Sequence, residues 1–413
     1  MIVFLLFLIG LGIVATQIRK PRLFIALTAG YAINLALIFT QRYVRPIFYS
    51  SDQQRFVDLA NELAAMDFFS FLLQFDPTGS YLISWFAALI FKVLGSDLLY
   101  VNFFFVYAWV GTIAFSCKLS TMITGNKNIS FLIVLFVIFT PSVSIVNAAF
   151  LRESFIIFFL VVSVYYSYQW YLSKNLHFFI KSIIFMTLAG FFHGAFYFLC
   201  VILVLFYMKE SLLKLRVRYL DLFFVFALVP LFAVASIKLA DNVKVKMAFS
   251  LIAGDERSVE RFLTSTEDRS SYEGINRLQL PDIDGSNAVS FITSLARRVA
   301  AFSSSPFIQH YSKVTDIPRI YDSLVFVFAC VLCFLIYKDG RRYDDKRIKF
   351  YFKLFIPMML LVMLMFSLGS FDVGTSQRHR LKFMPVFMVV TFSMYYVSRS
   401  LYRINRQRRV VGG

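Results

Sequence analysis

Apolar runs of about 15–22 residues recur along this chain, the length a helix needs to cross a hydrocarbon core roughly 30 Å thick. In such a core each backbone N–H and C=O must find a partner within the protein, so the runs are predicted to be helices. Short basic links separate them, as at Arg19, Lys20, Pro21 and Arg22. Only 16% of residues are charged, against about 25% in soluble domains, and 59% are hydrophobic. The expected fold is therefore all-α, a polytopic transmembrane helical bundle forming a single integral membrane domain over 1–413. The first run, 2–16, lacks a charged leading region and a small-residue cleavage site, which predicts a retained helix and not a signal peptide.

A net charge of +18 invites a nucleic-acid reading, but most of the excess lies in the short links. There it acts as an orientation signal, the bias of Lys and Arg toward the cytoplasm. Cys117, Cys200, Cys330 and Cys333 all lie inside apolar runs. Cys330 and Cys333 have C-x-x-C spacing with no second pair or nearby His to complete a metal site, so no metal or cofactor is expected.

Placing the basic links inside gives about eleven crossings, with the N-terminus outside and the C-terminus in the cytoplasm. Helices are predicted over 2–17, 23–40, 98–117, 129–149 and 154–172. A tight pair follows over 178–207, then helices over 219–238, 320–337, 350–369 and 382–398. The segment 41–97 is a first extracytoplasmic loop with interfacial helices. It carries Arg42, Arg45, Asp52, Arg55, Asp58, Glu62, Asp67 and Asp76 at apolar spacing suited to the membrane surface. The run 81–94 is assigned to the outer interface, because a crossing there would invert every later basic link. A large extracytoplasmic loop is expected over 241–318, where SVERFLTS and AVSFITSLARRVAAF are amphipathic and PDIDGSN is turn chemistry.

Once orientation accounts for the inner positives, an outer set remains: Asp52, Arg55, Arg152, Glu153, His193, Arg297, Arg298, Arg378, His379 and Arg380. Outer positive charge runs against the orientation rule. Guanidinium groups bind phosphates in bidentate geometry and keep their charge when partly dehydrated. The arginines with His379 are candidate ligands for a lipid-linked pyrophosphate, and Asp52, Glu153 or His193 for removing a proton from an acceptor hydroxyl. Plainer readings stand beside these. Arg152 and Glu153 can be an ion pair that ends a helix, and His193 a satisfied residue at a hairpin tip. Arg297 and Arg298 can meet lipid headgroups, the 378–380 triplet can snorkel, and Asp52 is one of several loop carboxylates.

N-x-x-F-L-R-E-S at Asn147 to Ser154, followed by L-A-G-F-F-H-G-A at Leu188 to Ala195, resembles the EpsG-like group of Wzy-type polysaccharide polymerases. DQQRF at Asp52 to Phe56 is similar to that group's Asp-bearing segment in the first outer loop. SQRHRLKFMPVF, from Ser376, is similar to its closing Arg-bearing segment. Glu153 stands where the group often has Gln. The first loop followed by GSYLISWFAALIFKVLGSD resembles the surface helix of C-fold glycosyltransferases, although their acidic metal-binding pair is not evident here.

The resemblance implies a polymerase of O-antigen or capsule repeat units. It would transfer a growing glycan from undecaprenyl pyrophosphate to the non-reducing end of another lipid-linked unit. It further implies a bacterial inner (plasma) membrane setting, an active site on the periplasmic or extracytoplasmic face, and a chain-length regulator protein and membrane lipid as partners. Nucleic acid is not expected. An O-antigen ligase, a transporter or flippase of lipid-linked glycans, and a membrane acyltransferase stay open as alternatives.

Overall fold

A computed structural model describes residues 2–44, 51–75, 81–212, 280–281, 288–306, 317–340, 343–370 and 373–411, and the regular elements among them are helical throughout. In order these are α1 (Ile2–Ala15), α2 (Pro21–Phe39), α3 (Ser51–Ala65), α4 (Phe68–Leu73), α5 (Leu82–Leu94) and α6 (Leu98–Thr124). They continue as α7 (Lys127–Ile138), α8 (Pro141–Ala148), α9 (Glu153–Ser173), α10 (Leu176–Phe192) and α11 (Tyr197–Leu212). The last are α12 (Ala288–Ser304), α13 (Ile317–Gly340), α14 (Lys346–Leu368), α15 (Val373–Leu381) and α16 (Met384–Val411).

Local chemistry sets many of these boundaries. Pro21 and Pro141 sit in the first turns of α2 and α8, where a missing N–H costs nothing. Asp67, Asp97, Asn126 and Asn175 cap α4, α6, α7 and α10 by accepting first-turn amide hydrogens. Gly125 ends α6 at φ 66°, the left-handed conformation that glycine adopts without strain.

Among the described residues, five helical segments are long and apolar enough to cross a membrane: Pro21–Val44, Leu98–Thr124, Glu153–Ser173, Ile317–Gly340 and Lys346–Leu368. A sixth follows if Gly374–Leu381 and Met384–Gln407, bent by 58°, count as one span. The surface of α13 shows why these suit a bilayer. Leu324, Phe328, Val331 and Phe334 are exposed on one side while Phe326, Ala329, Leu332 and Ile336 are buried on the other. One side packs on the core, and the other presents apolar surface of the kind a bilayer would cover.

The expectation of about eleven crossings counted shorter runs as well. Ile2–Ala15, Lys127–Ile138 and Leu176–Phe192 are apolar but fall below that length, as does Leu82–Leu94, the run expected at the interface and not counted as a crossing. The 13 residues of α5 rise only about 20 Å, short of a roughly 30 Å core. The predicted helix at 129–149 is two helices, because Pro141 cannot donate an amide to the turn before it and starts a new one. The predicted helix at 98–117 runs on to Thr124, carrying Lys118 on its flank. The segment 370–380, expected as an outer loop, is helical from Val373, and the basic tail continues α16 to Val411. The expected helix at 219–238 lies outside the described residues, as do Arg45, Asp76 and the 241–318 loop apart from 280–281, 288–306 and its last two residues.

Small and hydroxyl side chains bring the helices together. Between α9 and α10, Ser163 Oγ donates to the Ser182 carbonyl at 2.7 Å and Ser182 Oγ returns a bond to the Ser163 carbonyl at 3.0 Å. A Cβ on Gly190 would meet the Tyr197 ring at 2.6 Å, so the tip joining α10 to α11 closes tightly only with glycine there. The elements α3, α4 and α5 form a satellite around Leu63, Phe71 and Ala88, with Trp85 stacked on Phe71 at 4.8 Å. Lys92 of α5 fastens it by donating to the carbonyls of Ala64, at 2.9 Å, and Met66 at the end of α3.

Candidate functional site

The site forms around Glu153, the first residue of α9. An acid in a first helical turn is favoured by the helix dipole. Glu153 is nevertheless fully buried, which for a lone carboxylate is prohibitive. Its partners come from the other end of the chain. Arg378 on α15 donates from Nε to Glu153 Oε1 at 2.7 Å, and Lys382 Nζ lies 3.8 Å from the same oxygen. The Arg378 to Lys382 spacing puts both cations on one side, the i,i+4 relation. Glu153 Oε2 has no hydrogen-bond partner among the described residues.

Arg378 also reaches outward, where its Nη1 bonds Asp52 Oδ2 in the first turn of α3. The guanidinium thus divides between two acids of different character: Glu153 at 0% exposure and Asp52 at 46%. The Arg152 guanidinium lies 5.9 Å from the centre of the Phe56 ring. Burial pushes the Arg152 guanidinium down from its ordinary value, and the Glu153 carboxylate beside it partly restores it. Three cations, Arg152, Arg378 and Lys382, gather around two carboxylates. A dehydrated cluster with positive excess attracts anions.

Two histidines adjoin it. His193 stands at the tip between α10 and α11, and its Nδ1 accepts the Ala195 amide hydrogen at 3.4 Å. His379 neighbours Arg378 on α15, with Nδ1 2.9 Å from Ser370 Oγ. The two imidazoles are edge to face at 5.6 Å, with the Phe366 ring 5.0 Å from one and 4.8 Å from the other.

The expected outer set therefore divides. Asp52, Glu153 and Arg378 are joined by hydrogen bonds with Arg152 beside them, and His193 and His379 form a second group that meets the first where the Lys382 ammonium lies 5.3 Å from the Phe366 ring centre. Arg380 and Arg298 donate to backbone carbonyls. Arg380 is fully buried and donates to the carbonyls of Phe302 at 3.2 Å and Ser303 at 2.7 Å, and to Ser323 Oγ at 2.7 Å. It closes the last turn of α12, where carbonyls lack helical partners. Arg298 donates to the carbonyls of Ser367 at 2.9 Å, Pro281 at 2.8 Å and Ser370, and so closes the end of α14. Both were expected to hold pyrophosphate; in the structure the donors of Arg298 and the two terminal nitrogens of Arg380 meet carbonyls at helix ends and the Ser323 hydroxyl. Arg297 is exposed on α12, and Arg55 is exposed with its guanidinium 5.1 Å from the Tyr81 ring centre.

Sequence reasoning missed Lys382 and Asp322. Lys382 follows the conspicuous 378–380 triplet, and its i,i+4 spacing from Arg378 was the available signal. Asp322 is a buried acid in α13 whose Oδ2 accepts the Ser142 amide hydrogen at 3.2 Å, while Gln377 Nε2 donates to Ser142 Oγ at 3.2 Å. This tie joins α8, α13 and α15 just behind the cluster. Among the described residues no group of three or more His, Cys, Asp or Glu is placed to hold a metal ion. Chemically, the cluster can bind an anion and its histidines can exchange a proton. No protein-family model matches the chain, and no curated protein matches it.

Proposed function

We propose that this chain is a polymerase of lipid-linked oligosaccharide repeat units, moving a growing glycan from undecaprenyl pyrophosphate to the non-reducing end of another lipid-linked unit. One observation carries the reading: Arg378 bonds both Asp52 and Glu153, 326 and 225 residues away. Those bonds draw together DQQRF, FLRES and SQRHR, three of the segments that carry the resemblance, and His379 brings the fourth through His193.

In this reading Arg378 and Arg152 receive the pyrophosphate, stabilising charge as it develops on the leaving oxygen. Glu153, held in turn by Lys382, keeps Arg378 aimed. A base beside the cluster, drawn from Asp52, His193 and His379, takes the acceptor proton. The chain makes about eleven crossings of a bacterial inner membrane, the shorter apolar helices α1, α7 and α10 among them. The N-terminus lies outside and the C-terminus in the cytoplasm, with α3 to α5 lying along the outer face as in C-fold glycosyltransferases. A chain-length regulator is the expected protein partner.

The test is the glycan profile of a deletion strain carrying variants. Arg378→Ala should remove long-chain polymer and leave single capped units, while the protein still inserts in the membrane at normal level. A normal chain-length ladder with Arg378→Ala rejects the proposal. Finished polymer stranded on its lipid carrier would mark a ligase instead.

A further inference from the structure

We propose that Asp52 stands in for the pyrophosphate of the lipid-linked donor and leaves Arg378 when that group arrives, an assignment that rests on the polymerase reading above. The Arg378 guanidinium is planar, and its three nitrogens are used unequally. Nε holds Glu153 Oε1 at 2.7 Å, and Nη1 bonds Asp52 Oδ2. Nη2 is buried and has no hydrogen-bond partner among the described residues. Nη1 and Nη2 together form the end-on fork that two oxygens of one phosphate grip in parallel. Asp52 uses half of it. Held on α3, its carboxylate leaves the second prong unbonded, whereas an untethered phosphate meets both.

The two acids differ in how readily they part from the arginine. Glu153 is fully buried, so separating it strands a dehydrated charge at high cost. Asp52 is half exposed, and water replaces its hydrogen bond at little cost. It also sits in the first turn of α3, where the helix dipole favours a negative charge whether or not Arg378 is bound. The inner acid therefore anchors the guanidinium while the outer edge changes partner.

A pyrophosphate is the stronger ligand for that edge. It carries more negative charge than a carboxylate, and the Arg152 guanidinium, near enough to act on Asp52 as well as Glu153, attracts it to the same position. It also gives buried Nη2 the acceptor whose absence is unfavourable. Once the lipid pyrophosphate has lost its glycan, Asp52 competes for the fork again and shortens its stay.

The test uses the full-length protein in phosphatidylcholine nanodiscs, with inorganic pyrophosphate as the probe and calorimetry as the readout. Arg378→Ala should weaken binding by about tenfold or more. Asp52→Asn should tighten it by about two- to fivefold, the strength of the half-exposed pair it removes. Asp58→Asn, which removes an acid bonded to Gln54 on the same helix, should leave the affinity as it was. Absent binding in the unaltered protein, or unchanged or weaker binding in Asp52→Asn, overturns the proposal. Equal tightening in Asp58→Asn overturns it too, by tracing the gain to net charge. Undecaprenyl pyrophosphate in the disc should displace the probe at a mole fraction where phosphatidylglycerol does not. Displacement by both alike marks a site for any lipid phosphate and overturns the assignment to the donor. The glycan profile is read separately: a normal ladder in Arg378→Ala rejects the polymerase. A ladder lost in Arg378→Ala without tighter binding in Asp52→Asn rejects the exchange alone.

Discussion

Arg378 and Arg380 lie on the same short helix, yet their guanidinium groups meet different chemistry. Arg378 is shared by two acids, one of them half in solvent, and sits among other cations. Arg380 sits in a wholly buried pocket whose acceptors are two carbonyls and a serine hydroxyl. Arg298 resembles Arg380, with carbonyls for partners. Carbonyls at a helix end belong to the fold and have no alternative ligand waiting. A half-exposed carboxylate held by a guanidinium is an ion that another ion can replace. The partner, more than the arginine or its burial, separates the two kinds.

The contrast breaks most visibly at Arg380→Ala. That change leaves the Phe302 and Ser303 carbonyls short of a donor and takes a positive charge from the surroundings of buried Asp322. It should cost about 3–5 kcal/mol, the range for removing one partner of a buried charge arrangement. Thermal unfolding in detergent should show this as a large fall in midpoint, with activity lost only in proportion to folded protein. Arg378→Ala should cost less, about 1.5–3 kcal/mol as for hydrogen bonds to charged groups, because Lys382 still faces Glu153. Its activity loss should far exceed its stability loss, the reverse of Arg380→Ala.

Glu153→Gln sharpens the comparison from the acid side. The amide still accepts from Arg378 but carries no charge, so stability should fall by about 1–3 kcal/mol, and the glycan ladder should shorten as Arg378 loses its aim. Asp52→Asn should be mildest, below about 1 kcal/mol, since a pair this open to solvent is screened. Equal stability losses for Asp52→Asn and Arg380→Ala would erase the distinction.

Much of the fold could be read from the residues. The apolar runs located α2, α9, α13, α14 and the start of α6 within a few residues, and the hairpin with His193 at its tip was visible as two short runs meeting at FFHG. Hydrophobic length reports how far a helix extends and nothing about which distant group its polar residue meets. Hence Arg298, Arg378 and Arg380 looked alike as letters. Lys382 looked like the start of another apolar run, although it is fully buried beside Glu153. The helical 373–381 segment was read as loop because its nine residues, VGTSQRHRL, have no apolar stripe. What shapes that stretch is its burial among α12, α13 and α14, which no local pattern records.

The tie from Lys92 to the end of α3 gives Asp52 an address set from afar. An acid on a slack connection would drift with it, but α3 is a stiff rod of 15 residues pinned at its far end by an ammonium group on α5. Leverage along that rod decides how firmly the carboxylate at the near end presses on Arg378. A neutral side chain at position 92 should therefore loosen the grip on Arg378 at the opposite tip of the helix without touching either ion.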